Sequence, residues 1–103
     1  MEFEAQELAD LEANAGEAAR LMLLLANRNR LLILCELLAR REASVGTLVK
    51  AIGLSQSAIS QHLARLREDA LVAYRRESQT LLYRVDDPNA IHILAALKDI
   101  YCP

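Results

Sequence analysis

The apolar residues of this chain recur at helical spacing almost everywhere, and only residues 72–85 alternate with a period of two. Steps of three and four residues are typical of amphipathic helices, whereas alternation is typical of strands. Glu77 to Thr80 separate two alternating runs and are expected to form a turn. With three glycines and two prolines in 103 residues, the chain is predicted to be one mainly α-helical domain containing a small β-hairpin.

Two helices are predicted at the start of the chain. The first spans about residues 4–26 and carries a stripe that requires a partner helix, formed by Leu8, Leu11, Ala15, Ala18, Met22 and Leu25. Asn29 is expected to cap the second helix, which ends near residues 40–42. One apolar face of this helix contains Leu31, Leu34, Cys35 and Leu38, so Cys35 is expected on a packed face.

Two short helices joined by a tight turn are predicted next. Ser44 can cap the first of them, and Gly53 is suited to end it in a left-handed conformation. Ser55 can cap the second, which runs to about Asp69. Residues 44–69 therefore have the pattern of a helix-turn-helix, and the hairpin at residues 72–85 would be its wing.

A final helix is predicted after the hairpin. Asp86 and Asp87 favour a helix N-terminus, and Pro88 is tolerated in the first turn. The helix is apolar on nearly every side, as expected if it contacts both its own core and a second subunit. The sequence thus predicts a winged helix-turn-helix that dimerises through its first and last helices, with interface residues Leu8, Leu11, Ala15, Met22, Ile91, Leu94 and Tyr101.

The fourth helix and the hairpin carry the residues expected to bind double-stranded DNA. Small and amide side chains that can enter a major groove share one helix face, at Gln56, Ser57, Ser60, Gln61 and Ala64. Flanking cations suited to phosphates follow on the helix and hairpin, at Arg65, Arg67, Arg75 and Arg76. On the helix alone, an ordinary exposed face is an equally good interpretation. His62 lies nearer the core side and is expected to be buried and hydrogen-bonded.

Charge is unevenly distributed along the chain. The net charge is −2, yet residues 40–84 hold eight basic and four acidic side chains between acidic ends. A basic centre agrees with phosphate contact, and on charge alone an ordinary solvated charged surface is an equally good interpretation. The acidic start does not resemble a secretory signal and no apolar run is long enough to cross a membrane, so a cytoplasmic location is expected.

The run from Leu54 to Arg67, followed by Leu71-Val72 and Tyr83-Arg84, resembles the ArsR/SmtB family of bacterial repressors. The resemblance covers nearly the whole chain and implies a homodimer that binds a pseudo-palindromic operator. The paired cysteines and the last-helix ligands of the metal-sensing members have no counterpart here, and no metal or cofactor is predicted. Ala70 stands where the family usually has glycine, so the fourth helix is expected to end without that residue's freedom at positive φ.

The segments around the two cysteines resemble the persulfide-sensing SqrR/BigR-like branch of this family. That resemblance implies that Cys35 and Cys102 sense reactive sulfur species and release operator DNA when they are bridged by a disulfide or a polysulfide. A general thiol redox response, for example to peroxide, and a metal response are the alternatives. A thiol enzyme lacks a suitably spaced partner for either cysteine, and a winged helix used only for protein contacts is disfavoured by the basic centre.

Overall fold

The computed structural model describes residues 1–103 and contains five helices and one two-stranded antiparallel sheet. The elements are α1 (Ala5–Leu25), α2 (Arg28–Arg40), α3 (Val45–Ile52), α4 (Gln56–Glu68), β1 (Val72–Glu77), β2 (Thr80–Val85) and α5 (Pro88–Tyr101). This order and the single hairpin confirm the predicted winged helix-turn-helix fold. None of the five helices combines the length and apolar character that a membrane span requires.

The N-terminus of α2 differs from the sequence prediction. The cap is Asn27, whose side chain accepts a hydrogen bond of 3.0 Å from the backbone N–H of Arg30. Asn29, the predicted cap, is inside the first turn. Asn27 has the extended backbone that a cap needs, with φ −156°, and the periodic pattern could not choose between two asparagines so close together.

The predicted caps of the helix-turn-helix are confirmed. The hydroxyl oxygen of Ser44 accepts from the N–H of Thr47, and that of Ser55 accepts from the N–H of Ala58, both at 3.1 Å. Gly53 ends α3 in the left-handed region at φ 85°. These local features fix the turn that places α4 across the surface of the domain.

The end of α4 also differs from expectation. Ala70 takes φ 61° in spite of its β-carbon. The N–H of Leu71 donates to the carbonyl of Leu66 at 2.9 Å, and the N–H of Ala70 donates to that of Arg67 at 3.0 Å. These two bonds form a Schellman motif, which requires a left-handed residue at the position of Ala70. The motif therefore forms around alanine, at a conformational cost that glycine would avoid.

The wing, residues 72–85, is a hairpin closed by the two-residue turn Ser78-Gln79. Its register runs from Val72 opposite Val85 to Glu77 opposite Thr80. The turn lies within residues 77–80, as the sequence predicted. The loop between α2 and α3 adds a short third strand position, because Ala43 exchanges two backbone hydrogen bonds of 3.0 and 2.8 Å with Tyr83. The wing is thereby docked on the end of α2.

One hydrophobic core of fourteen residues joins the helices to the base of the wing. Its largest fully buried side chains are those of Ile33, Leu34, Leu37, Leu48, Ile59, Leu63 and Leu66. Helix α1 lies largely outside this core, since residues 5–20 are all exposed and only Leu24 and Leu25 are buried. An ion pair of 2.6 Å between Arg20 and Asp69 ties α1 to the end of α4.

Candidate DNA-binding surface and thiol groove

The predicted base-reading face of α4 is exposed. Gln56, Ser57, Ser60 and Gln61 all lie on the surface, while the opposite face of the helix is buried in the core. The only bond among these four side chains is a long one of 3.5 Å from Gln61 Nε2 to the hydroxyl of Ser57. Their donors and acceptors are therefore available to the edges of bases.

Arg67 connects α4 to the wing. Its guanidinium lies 4.4 Å from the centre of the Tyr74 ring, and Tyr74 in turn packs edge-on against Tyr83 with ring centres 5.3 Å apart. Such a cation–π contact holds the guanidinium near the wing without neutralising its charge. Arg67 and Arg65 are both exposed, and neither forms an ion pair.

The two wing arginines have different environments. Arg75 donates three hydrogen bonds of 2.6 to 3.2 Å to the carboxylate of Glu42, and it lies 3.0 Å from Glu77. Arg76 is exposed and has no ion pair. Neighbouring residues of a strand point to opposite faces. That alternation was the signal that could have separated the two arginines from sequence alone.

His62 departs in part from the prediction. It is half-buried, and none of the side-chain hydrogen bonds involves it. Burial lowers its pKa, and the positive charge of Arg30 lowers it further. The predicted hydrogen bond is therefore wrong. The position is on the margin of the core, where the imidazole packs without a side-chain or backbone partner.

Cys35 and Cys102 line one apolar groove between α2 and α5, which we call the thiol groove. Its volume is about 590 Å³, and ten of its eleven lining residues are hydrophobic. The eleven are Leu31, Cys35, Leu38, Ala39, Ile91, Leu94, Ala95, Leu97, Lys98, Tyr101 and Cys102. Lys98 is its one charged residue, and its carbonyl accepts from the N–H of Cys102 at 2.8 Å.

Both thiols are free and exposed in the single chain. The expectation that Cys35 is packed is therefore wrong. Its helix face is apolar, but α5 passes beside that face and leaves a groove. Partial burial raises the pKa of Cys35, and the charges of Cys102 and Glu36 raise it further. Cys35 on α2 and Cys102 at the end of α5 thus face one groove from its two sides.

The residues predicted for a dimer interface are mostly exposed. Leu8, Leu11 and Met22 are 47, 44 and 55% exposed on α1, and Ala15 is exposed between them. On α5, Ile91 and Tyr101 are exposed, but Leu94 is only 4% exposed and belongs to the chain's own core. A run of exposed apolar residues along one helix is typical of surfaces that bind another macromolecule.

No group of three or more His, Cys, Asp or Glu side chains is arranged to hold a metal ion. His92 is exposed in an open cleft between α1 and the start of α5, near Asp86 and Asp87.

A winged helix-turn-helix with an exposed amide-bearing helix and an arginine-bearing hairpin defines the class of DNA-binding transcriptional regulators. The family model described as "Bacterial regulatory protein, arsR family" matches residues 27–74. The HTH-type transcriptional regulator YgaV of Escherichia coli (strain K12) is 44% identical over 94% of this chain and 98% of its own length.

Two solved structures share this fold. Reduced HlyU from Vibrio cholerae N16961 superposes with a TM-score of 0.84 at 44% identity, covering 91% of this chain and 98% of that chain. The transcriptional repressor BigR from Xylella fastidiosa superposes with a TM-score of 0.80 at 37% identity, covering 91% of this chain and 92% of that chain. The chain belongs to the arsR family of bacterial regulatory proteins, whose members bind operator DNA and are typically dimers.

Proposed function

We propose that this chain is a homodimeric transcriptional repressor that senses reactive sulfur species through Cys35 and Cys102 and releases its operator when the two are bridged. The observation that carries the sensing proposal is the placement of both free thiols in one apolar groove between α2 and α5. The similarity to BigR, named as a repressor, supports the direction of regulation.

DNA recognition is assigned to α4 and the wing. Gln56, Ser57, Ser60 and Gln61 would contact base edges in the major groove, because they are exposed on the face opposite the core. Phosphate contacts are assigned to the exposed arginines without ion pairs, which are Arg65, Arg67 and Arg76. Arg75 was grouped with them on sequence grounds, but its carboxylate partners oppose a direct phosphate contact.

Dimerisation is assigned to the exposed stripe of α1 and to α5. The stripe comprises Leu8, Leu11, Ala15 and Met22, and the α5 residues are Ile91 and Tyr101. A two-fold dimer presents two copies of α4 to successive major grooves, which gives the operator a pseudo-palindromic form. Ile91 and Tyr101 also line the thiol groove, so this part of the interface adjoins the sensing site.

The sensing chemistry is sulfur transfer followed by bridging. Cys35 holds its proton more strongly than an ordinary thiol, so we assign the first attack to Cys102. A thiolate attacks the outer sulfur of a persulfide RSSH, the S–S bond breaks, and RS⁻ leaves with the electron pair. The same reaction at the other cysteine leaves both residues persulfidated, and two molecules of the donor have been reduced to thiols.

Bridging then follows within the groove. The persulfide anion on one cysteine attacks the inner sulfur of the other and expels HS⁻, giving a trisulfide. If only one cysteine carries the extra sulfur, attack by the other thiolate expels HS⁻ and gives a plain disulfide. A disulfide needs Cα atoms within about 7 Å, whereas the additional sulfur of a trisulfide spans a wider gap.

A bridge between α2 and α5 would act on the DNA-binding surface through α2. This helix packs on α1, α3 and β2, so it contacts both the dimerisation helix and the base of the wing. Allosteric coupling of about 1 to 3 kcal/mol, the usual range, changes affinity by roughly 5- to 150-fold. That range is sufficient to release an operator.

Intact-mass spectrometry of the reduced protein after glutathione persulfide tests the chemistry, with hydrogen peroxide and zinc as parallel treatments. We expect an intramolecular adduct that has gained one sulfur and lost two hydrogens with persulfide. Cys35→Ser and Cys102→Ser should each prevent the bridge while retaining a thiol that reacts with the donor. Persulfide that leaves both cysteines unmodified would contradict the proposal.

The other treatments distinguish the alternative functions. Peroxide would oxidise one thiolate to a sulfenic acid. The other thiolate then attacks the sulfenic sulfur, the S–O bond breaks, hydroxide leaves and is protonated to water, and a disulfide forms. If only peroxide produces a bridge, the chain is a general redox regulator. Zinc that stays bound after buffer exchange would instead indicate a metal-responsive regulator.

A further inference from the structure

The side chains of Glu42 and Arg75 form the most extensive polar contact between separate elements of this chain. Glu42 lies in the loop between α2 and α3, and Arg75 lies in the middle of β1. Three hydrogen bonds connect them, with Nη2 to Oε1 at 2.6 Å and Nε to the two carboxylate oxygens at 3.0 and 3.2 Å. Bonds from two guanidinium nitrogens to one carboxylate fix direction as well as distance.

The adjoining backbone holds the same two elements together. Ala43, next to Glu42, pairs with Tyr83 of β2 through two backbone hydrogen bonds. Because β2 lies between the loop and β1, the Glu42 side chain reaches across β2 to Arg75. The loop is thus bonded to the backbone of β2 through Ala43 and to a side chain of β1 through Glu42.

The remainder of the hairpin has few such constraints. Glu77 also contacts Arg75, at 3.0 Å, but both belong to β1 and their contact cannot orient the wing against the domain. Beyond it, the tip residues from Glu77 to Thr80 are all exposed. The base of the wing packs into the core through Val72, Tyr83 and Val85. Above that base, rotation of the wing is opposed by the Ala43 pairing, the Tyr74 contact with Arg67, and the Glu42–Arg75 pair.

We propose that Glu42 and Arg75 are a positioning pair that sets the angle of the wing, and hence the placement of Arg76 on DNA, without contacting DNA themselves. The proposal rests on the DNA-binding role assigned to the wing above. It replaces the direct phosphate contact that the sequence suggested for Arg75. It also assigns a role to an acidic residue in a basic region, where a carboxylate would otherwise only repel phosphates.

The neutral variant Glu42→Gln tests this assignment by the sign of its effect. Removing a merely solvated carboxylate near DNA should strengthen binding. Removing a positioning carboxylate should weaken it, because Arg75 loses its partner and the wing its orientation. We expect binding weakened about fivefold, and Arg75→Gln should show a similar loss. The matched control is Glu77→Gln, which removes the other carboxylate in contact with Arg75. Because Glu77 and Arg75 belong to the same strand, this change should not weaken binding.

Two further readouts separate positioning from contact. The probe is a DNA duplex that the unmodified protein enriches from a random-sequence pool. It is used in two lengths: complete, and shortened so that only the base pairs contacted by α4 remain. The loss in Glu42→Gln should be confined to the full-length duplex. The slope of log affinity against log salt concentration should be the same for Glu42→Gln as for the parent protein. In Arg76→Gln this slope should decrease by about one unit for each wing contact that is lost. The swap of Glu42→Arg with Arg75→Glu should restore binding.

Each outcome has a distinct meaning. Tighter or unchanged binding by Glu42→Gln, or a reduced salt slope in Arg75→Gln equal to that of Arg76→Gln, would overturn the positioning role alone. If no duplex is enriched by the parent protein, the proposed DNA-binding function fails and the wing proposal fails with it. Thermal unfolding of every variant shows that the chains compared are folded.

Discussion

Ala70 shows that a single residue can be held in a conformation that its side chain disfavours. The Schellman bonds from Ala70 and Leu71 impose φ 61°, although a left-handed residue with a β-carbon is disfavoured by about 1 kcal/mol or more. From the sequence, the absence of glycine suggested that this conformation would be avoided. The backbone bonds, which depend on where β1 must begin, determined it instead.

Replacing Ala70 with glycine is therefore expected to stabilise the domain. The gain should be about 0.5 to 1 kcal/mol, because relief of the left-handed strain exceeds the extra entropy of glycine in the unfolded chain. The shift in the urea concentration at the midpoint of unfolding measures this gain, provided that the dependence of the unfolding free energy on urea is unchanged. The converse variant Gly53→Ala, at φ 85° with open space around the new β-carbon, should destabilise by a similar amount. A less stable Ala70→Gly would contradict this account.

The reactivity of Cys35 provides a second test at the scale of one residue. Burial raises the pKa of its thiol, and the charges of Cys102 and Glu36 add to the shift. The pH profile of Cys35 alkylation by iodoacetamide should therefore have its midpoint above that of a free cysteine, which is about 8.5. Cys102→Ser should lower that midpoint, and Glu36→Gln should lower it less. A midpoint below the ordinary value would contradict the geometry.

At the scale of elements, the local signals in the sequence placed most helix ends correctly, the cap of α2 being the exception. Contacts between residues far apart in the sequence were not predicted. Ser44, Gly53 and Ser55 were predicted correctly because a cap is a relation between residues three or four apart. The pairing of Glu42 with Arg75 joins residues 33 apart, and nothing local indicates it. Likewise, the apolar pattern of α2 predicted which helix face carries Cys35. It did not predict that α5 leaves that face uncovered.

At the scale of the whole molecule, the single chain leaves a large apolar surface on α1 exposed. It measures 51 by 31 by 20 Å, and α1 exposes an apolar stripe over most of its length. Leu11→Arg should disrupt the dimer, because it places a charge in the middle of that stripe. Sedimentation velocity should show a monomer and DNA affinity should fall, since one subunit contacts one half-site. Ala13→Arg, on the opposite side of α1, is the control, and a dimer that tolerates Leu11→Arg would refute this interface.

The central claim is that bridging of Cys35 and Cys102 releases DNA. The most direct measurement is fluorescence-anisotropy titration of the enriched duplex with reduced protein, with protein treated with glutathione persulfide, and with treated protein reduced again. We expect an affinity loss of at least about fivefold on treatment, recovery on reduction, and no loss in Cys35→Ser or Cys102→Ser. Equal loss in the parent and both serine variants would contradict it, as would a bridged parent protein that binds DNA as tightly as the reduced form.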